Sequence, residues 1–424
     1  MLIITVIVSA LLAGPAAVVP ANAAETPLTW EEVRKLALEK NTGLGVALLS
    51  KKSGEAGVKG AYGSFLPTVS LNADRTRTRS ELNSSVETKK TDLRYGATAS
   101  LNLFNGFGTI ASLKKARASE AEADASYEVT SASLRRDLRV AYFNIYQLQE
   151  KIRLGDRALK REQQNEKLLE LKYNSGAEAR WNLKKKKAEL ERAEFNLNNS
   201  RSQLESARET LASLLQLDSL PARPVPAPDT DLLRVKEPLV EAHPELRKSR
   251  FAAQRLEHDI TIARSSLYPS LALSYTRSWL ENKPDGSASN RTSSSAFAIS
   301  ADWNIFNGAT DYYRIQQANL SGEAAALQSA GLERQLRANI LTRSAAYEQA
   351  AGLLPVSRSL RAAAEERERT VSEQYRAGLK TYIDWEQAES QLLEAEQAEI
   401  KALGESLVAF ADLEQAMGLS LEQP

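Results

Sequence analysis

The chain repeats itself, and this constrains its fold more than any other feature. Asn41-Thr42 stands where His243-Pro244 stands later, and Phe65-Leu66-Pro67-Thr68 where Leu267-Tyr268-Pro269-Ser270 does. Leu101-Asn102-Leu103-Phe104-Asn105-Gly106 matches Trp303-Asn304-Ile305-Phe306-Asn307-Gly308, and Tyr173-Asn174-Ser175-Gly176 matches Tyr375-Arg376-Ala377-Gly378. Ala193-Glu194 and Ala395-Glu396 follow the same rule, so every pair is 202 residues apart. A single offset held across most of each half is a tandem duplication, and it asks for two copies of one structural unit. Pro221, Pro224, Pro226 and Pro228 lie between the copies as a stiff, extended connector. The expected repeats are residues 24–220 and 221–424.

Within each unit the pattern predicts a helix, a short strand, a polar loop, a short strand, a very long helix, a tight turn and a second long helix. Neither Gly nor Pro occurs in 109–154 or in 177–220. Helices of roughly 45 to 70 residues would run on the order of 70 to 100 Å. No compact domain holds such helices, so they must pack along one another or against partner subunits. Leu183, Leu190, Leu197, Leu204 and Leu211 recur every seven residues, with Ala193, Ser200, Ala207 and Leu214 three positions after successive leucines. Ala388, Ala395, Ala402, Ala409 and Ala416 keep the same spacing in the second half. Such seams suit close knobs-into-holes packing.

The strands decide between a rod and a channel. Tyr95, Ala97, Ala99, Leu101 and Leu103 alternate with small and polar residues, and Phe297, Ile299, Ala301, Trp303 and Ile305 do so in the same phase. Val69 and Leu71 correspond to Leu271 and Leu273 in the preceding strands. One apolar and one polar face over about ten residues fits a membrane barrel with lipid outside and water inside. Alternation alone also fits a half-buried strand of a soluble sheet. Two hairpins cannot close a barrel and an isolated one is marginal in water, so other copies of the chain must complete it. The segments 80–92 and 280–291 are polar and are expected as surface loops. Pro67 and Pro269 suit strand starts, and Gly106 and Gly308 suit strand-to-helix corners.

Residues 1–23 read as a signal peptide: the run from Leu2 to Val19 is apolar and Ala21-Asn22-Ala23 is a small-x-small cleavage pattern, although no Lys or Arg precedes the run. No later stretch is apolar for the roughly 18 residues that a spanning helix needs. Lys plus Arg number 55 and Asp plus Glu 54, which gives no electrostatic case for nucleic acid. The sequence contains no cysteine for a disulfide, a thiolate metal site, a nucleophile or a lipid anchor. His243 and His258 are the two histidines, and neither has a second ligand at zinc spacing. No nucleophile-elbow, phosphate-loop or dinucleotide fingerprint is present, so no enzyme activity and no cofactor is expected.

As a set, these residues resemble the TolC-like outer-membrane efflux family, the outer-membrane factors. The resemblance covers nearly all of the chain after residue 23. Its marks are the duplication, Phe65-Leu66-Pro67 and Tyr268-Pro269 entering the strands, and Leu103-Phe104-Asn105-Gly106 and Ile305-Phe306-Asn307-Gly308 leaving them. The clearest is the run from Tyr375-Arg376-Ala377-Gly378-Leu379-Lys380 through Thr381-Tyr382-Ile383-Asp384 to Gln387-Ala388 and Leu392. The resemblance implies a mixed α/β membrane protein: a homotrimer whose four strands per chain form a 12-stranded β-barrel, continued by a long α-helical coiled-coil tunnel. It implies a place in the outer membrane, with the helical part in the periplasm and lipid around the barrel. The implied function is that of the passive outer-membrane channel of a tripartite efflux pump or type I secretion system. The partners would be a periplasmic adaptor (membrane fusion protein) and an inner-membrane transporter.

By resemblance, the turns at Gly176 and Gly378 would dock the adaptor, glycine allowing the positive φ of a tight helix exit. Asp384 would stand near the tunnel's closed end, where a ring of carboxylates favours cations. Lys380 sits where a basic gate residue stands. The first-half equivalent of Asp384 is Asn182, followed by lysines at 184–187, which departs from the family's usual pattern. Plainer readings exist: the lysine run as a solvated helix face, Asp384 as a helix-start residue, Trp181 and Trp385 as packing. The alternative for the whole chain is a structural coiled-coil protein of the periplasm, or an adaptor, with the strands in a soluble hairpin domain.

Overall fold

The computed structural model describes residues 27–82, 86–228, 240–284 and 288–423. The expected signal peptide lies outside them. Helix α1 (Trp30–Lys40) is N-capped by the Thr29 hydroxyl, which accepts from the Glu32 N–H. Asn41 ends α1 and caps α2 (Thr42–Tyr62) by accepting from the Leu44 N–H at 2.9 Å. Its counterpart His243 caps α5 (Pro244–Arg264): Nδ1 accepts from the Glu245 N–H at 3.2 Å, and Pro244 occupies the first turn, where a missing N–H costs nothing. The buried His243 imidazole has its pKa lowered, chiefly by desolvation. It is therefore a neutral capping group.

A single helical turn after α2 and after α5 leads into strands β1 (Thr68–Leu82), β2 (Val86–Asn105), β3 (Ser270–Pro284) and β4 (Asn290–Asp302). They form one antiparallel sheet in the order β1-β2-β3-β4, so β1 and β4 are its edges. The segments 80–92 and 280–291, expected as loops, are largely strand: β1 pairs with β2 out to Leu82↔Val86 and β3 with β4 out to Asn282↔Asn290. A backbone ladder is satisfied whatever the side chains, so a polar composition alone reads as loop. At the other end, alternation was expected to run through Ile305, yet β4 stops at Asp302. The equivalent part of β2 has β3 to pair with and continues to Asn105 through a bulge at 102–104.

Gly106-Phe107 and Gly308-Ala309 turn the chain through consecutive left-handed residues into α3 (Gly108–Asn174) and α6 (Thr310–Arg376). Each is 67 residues long, on the order of 100 Å. The returning helices α4 (Arg180–Leu215) and α7 (Tyr382–Ala416) have 36 and 35 residues. This is shorter than expected, because Gln216 adopts the left-handed conformation and ends α4 despite the absence of Gly or Pro. No described helix is long and apolar enough to cross a membrane.

The main core lies midway along the helices, where α1 and the C-terminal turn pack on α3, α4 and α7. It includes Val33, Leu138, Ile145, Leu211, Leu215 and Phe410. At its edge Arg135 and Glu414, both almost fully buried, meet at 2.6 Å, and Arg139 reaches the same carboxylate at 3.2 Å with its guanidinium 4.0 Å from the Trp30 ring. Of the leucine seam, Leu183, Leu197, Leu204 and Leu211 are buried. On the alanine seam Ala388, Ala402 and Ala416 are buried. Helix α6 differs from α3: Leu320, Leu327, Leu341, Leu353 and Leu360 remain exposed on it.

Candidate functional site

The two helical hairpins end side by side, far from the sheet. Both turns are built alike. After α3 the Gly176 N–H donates to the Tyr173 carbonyl and the Ala177 N–H to the Lys172 carbonyl. After α6 the Gly378 N–H donates to Tyr375 and the Leu379 N–H to Gln374. This pair of bonds closes a helix only when the residue after the cap is left-handed, and both glycines sit at φ +78°.

The entries into α4 and α7 differ. Thr381 and Asp384 form a reciprocal capping box: the Asp384 carboxylate accepts from the Thr381 N–H at 3.1 Å and hydroxyl at 2.8 Å, and the Asp384 N–H donates to the Thr381 hydroxyl. The Thr381 hydroxyl holds the Asp384 pKa below the ordinary carboxylate value, helped by its backbone N–H and by Lys380 and Arg367. Lys380 is exposed in the turn. At the equivalent position in α4, Ala179 provides no side-chain cap and Asn182 is buried, donating to Glu178 at 2.8 Å. Asn182 and Asp384 thus serve separate local contacts, one with Glu178 and one with Thr381.

Other residues join the two turns. The Tyr375 hydroxyl donates to Glu178 at 2.7 Å, and Lys172 donates to the Tyr375 carbonyl at 2.9 Å with its ammonium 4.1 Å from the ring centre. Burial and the Glu178 charge push the Tyr375 pKa up, so it remains a donor. Tyr375 stacks on Trp385, their rings 4.7 Å apart, in a small core with Leu169, Leu183 and Tyr382. Trp385 is fully buried, a packing residue, whereas Trp181 is 56% exposed and touches Tyr382 edge-on.

The lysine run divides. Lys184, Lys185 and Lys187 are exposed, but Lys186 is 1% exposed, with its ammonium 2.9 Å from Glu389, 2.9 Å from Glu162 and 3.1 Å from Glu189. Reading the whole run as a solvated face is therefore corrected at Lys186, because one lysine in each helical turn must point inward. One ammonium faces three carboxylates, and Glu389 is also bonded by Asn165. Burial, together with Glu162 and Glu368, raises the Glu389 carboxyl to about 7, while the surrounding carboxylates raise the pKa of Lys186 and keep it charged. A polar cleft of about 340 Å³, lined in part by Arg161, Lys186, Arg192 and Glu389, opens onto the cluster.

Glu178, Lys186 and Glu389 were missed in the sequence, although a signal was there for Glu178 and Glu389. Positions equivalent under the repeat offset carry opposite charges: Glu178 and Lys380, Lys184 and Glu386, Lys187 and Glu389. At these positions Glu178, Glu386 and Glu389 each bond the other hairpin, to Tyr375, Lys185 and Lys186. Among the described residues, no cluster of three or more His, Asp or Glu side chains could hold a metal ion.

A sheet with an apolar face, set on helical hairpins on the order of 100 Å long, defines the class: an outer-membrane channel with a periplasmic helical stalk. The sequence matches the outer membrane efflux protein family over residues 33–216 and 238–419, and the chain belongs to that family. No curated protein matches it. Among solved structures, a membrane protein from Pseudomonas aeruginosa superposes with a TM-score of 0.82 at 17% identity, covering 96% of this chain and 99% of that one. The outer membrane protein VceC of Vibrio cholerae gives 0.78 at 17% identity, with 92% and 96% covered. The open state of the Neisseria gonorrhoeae MtrE outer membrane channel gives 0.73 at 22% identity, with 92% and 88% covered.

Proposed function

We propose that this channel is a homotrimer that passively conducts cargo expelled by an inner-membrane transporter, to which a periplasmic adaptor couples it. The supporting observation is the pair of open edges: β1 and β4 each end the four-stranded sheet with a row of unpaired backbone groups. Lipid cannot satisfy those groups, so a β4-to-β1 junction between copies is required. Three copies give 12 strands, a size that leaves an open lumen. The exposed leucines of α6 would be covered by the next copy, turning three pairs of hairpins into a tunnel wall. The channel supplies no energy and catalyses no reaction.

In this assembly the turns at Gly176 and Gly378 form the adaptor-facing tip. Three Asp384 carboxylates and three Lys380 ammonium groups lie around its mouth, and Tyr375–Glu178 and Lys172 hold the hairpins of each protomer together. Extraction from the outer-membrane fraction and mass determination in detergent test the proposal. A heat-modifiable trimer is expected; a water-soluble monomer or dimer would refute it.

A further inference from the structure

Directly paired residues in a sheet share a face, so the register assigns every described strand position to one side. One side carries Thr68, Ser70, Thr98, Ser100, Ser274 and Thr276 and suits water. The other carries Val69, Leu71, Ala99, Leu101, Leu273 and Phe297 and suits lipid. On this lipid side Ala73, Tyr95, Trp279 and Ser293 form one row. Tyr95 and Trp279 stack there, 5.6 Å between ring centres and 15° between planes. The apolar run of β2 on this side, from Tyr95 through Leu101 and past the bulge to Phe104, spans on the order of 20 Å along the membrane normal for a tilted strand, close to the band height of such barrels. The aromatic row thus marks the outer headgroup level, as aromatic girdles do.

Beyond that row the lipid side does not turn neutral but basic. Arg75, Arg77 and Arg79 succeed one another on β1, with Lys89 opposite Arg79, Lys283 on β3 and Arg291 on β4. From just below, Arg277 brings its guanidinium to 5.4 Å from the Trp279 ring, reaching up out of the apolar band as long cationic side chains do. In the row of Arg75 the acidic Glu281 lies 3.9 Å from Arg291. Arg75 and Arg77 are exposed, and no carboxylate among the described residues pairs with them. Across the sheet, the water side of these rows is mixed, with Lys90 meeting Asp92 at 3.1 Å. The basic excess therefore belongs to the lipid side. The Arg75 and Arg77 guanidinium groups, about 7 Å apart along one strand face, repel one another unless an anion lies between them.

We propose that outward-facing Arg75 and Arg77 of β1, with Arg277 beside the Tyr95–Trp279 pair, bind the phosphate groups of lipid headgroups in the outer leaflet. This rests on reading the sheet as one part of a membrane barrel. The planar guanidinium engages phosphate through two parallel hydrogen bonds. The site is continuous with the apolar band, so a ligand that supplies both acyl chains and phosphates fits it, and a free phosphate ion supplies only half.

The test uses the full-length protein, R75S/R77S and R75K/R77K. Each is first checked for a heat-modifiable trimer in the outer-membrane fraction, then incorporated into nanodiscs of phosphatidylcholine with or without bis-phosphorylated lipid A. Lipid A binding by R75S/R77S should be roughly 30-fold weaker, about fivefold for each basic residue at an anionic surface. R75K/R77K should retain most of it, and wild-type binding should fall with salt. Unchanged binding in R75S/R77S, or wild-type binding indifferent to salt, would overturn the proposal. Displacement of lipid A by equimolar inorganic phosphate would overturn the lipid source. If R75S/R77S does not assemble, the salt titration and R75K/R77K decide. A missing wild-type trimer defeats the barrel itself, whereas a normal trimer with unchanged lipid binding defeats only this proposal.

Discussion

Glu389→Gln is the most informative substitution at the tip. Glu389 shares the Lys186 ammonium with Glu162 and Glu189 and also receives the Asn165 amide. Its carboxyl is raised from 4.5 to about 7 because burial and neighbouring carboxylates outweigh the one lysine. A raised folded-state pKa means that the fold binds this proton more tightly than the unfolded chain does. The stabilisation is therefore full below about pH 4.5 and is lost as pH rises through 7. The shift corresponds to about 3 kcal/mol, a factor of a few hundred in local opening, of which roughly 100 falls between pH 5 and 8. Glutamine keeps the shape and the acceptor toward Lys186 but cannot titrate. Hydrogen exchange of the first turns of α7, corrected for intrinsic rates, should show wild-type protection falling about 100-fold between pH 5 and 8. The same amides in Glu389→Gln should stay flat within a few tenths of a kcal/mol. Equal slopes in the two proteins would show that Glu389 is ionised throughout the range and that Lys186 outweighs its burial.

Three further outcomes follow from the same geometry. Glu414→Ala leaves the buried Arg135 and Arg139 without their shared carboxylate and should cost about 3 to 5 kcal/mol in thermal or denaturant unfolding. Asp384→Asn removes the tip charge while leaving an acceptor for Thr381, so bilayer conductance should lose its cation preference or cation block; Asp384→Ala should do this and also lose about 1 kcal/mol of capping. Tyr375→Phe deletes the Glu178 bond between the two turns and leaves only that of Lys172, and single-channel recordings should show longer or more frequent openings with the trimer intact.

Much of the fold was legible because the duplication fixes both halves at once. Asn41 and His243 cap equivalent helices, α3 and α6 begin and end at equivalent positions, and the left-handed glycines fall at both turns and both corners. The strand tips were not legible. Lys89, Lys90, Thr91 and Asp92 satisfy a ladder as readily as a loop, and no apolar side chain announces their pairing. Asp384 was visible both as a helix start and as a gate candidate, and its capping box accounts for the helix start. The burial of Lys186 was hidden by its neighbours, since four consecutive lysines look uniform until the helix assigns each a direction.

The unequal fates of α3 and α6 carry a genetic consequence. Each is one copy of the same ancestral helix, yet α3 is clothed by its own chain while Leu320, Leu327 and Leu341 of α6 lie open. In the proposed trimer a lesion in α6 would be read by the neighbouring subunit. A charged substitution at Leu327 would spare the fold of its own chain and spoil the seam with the next. In a cell carrying both alleles, altered subunits would enter mixed assemblies and disable the normal ones. Substitutions on α6 should therefore behave as dominant, and core substitutions on α3, which stop the chain before it assembles, as recessive.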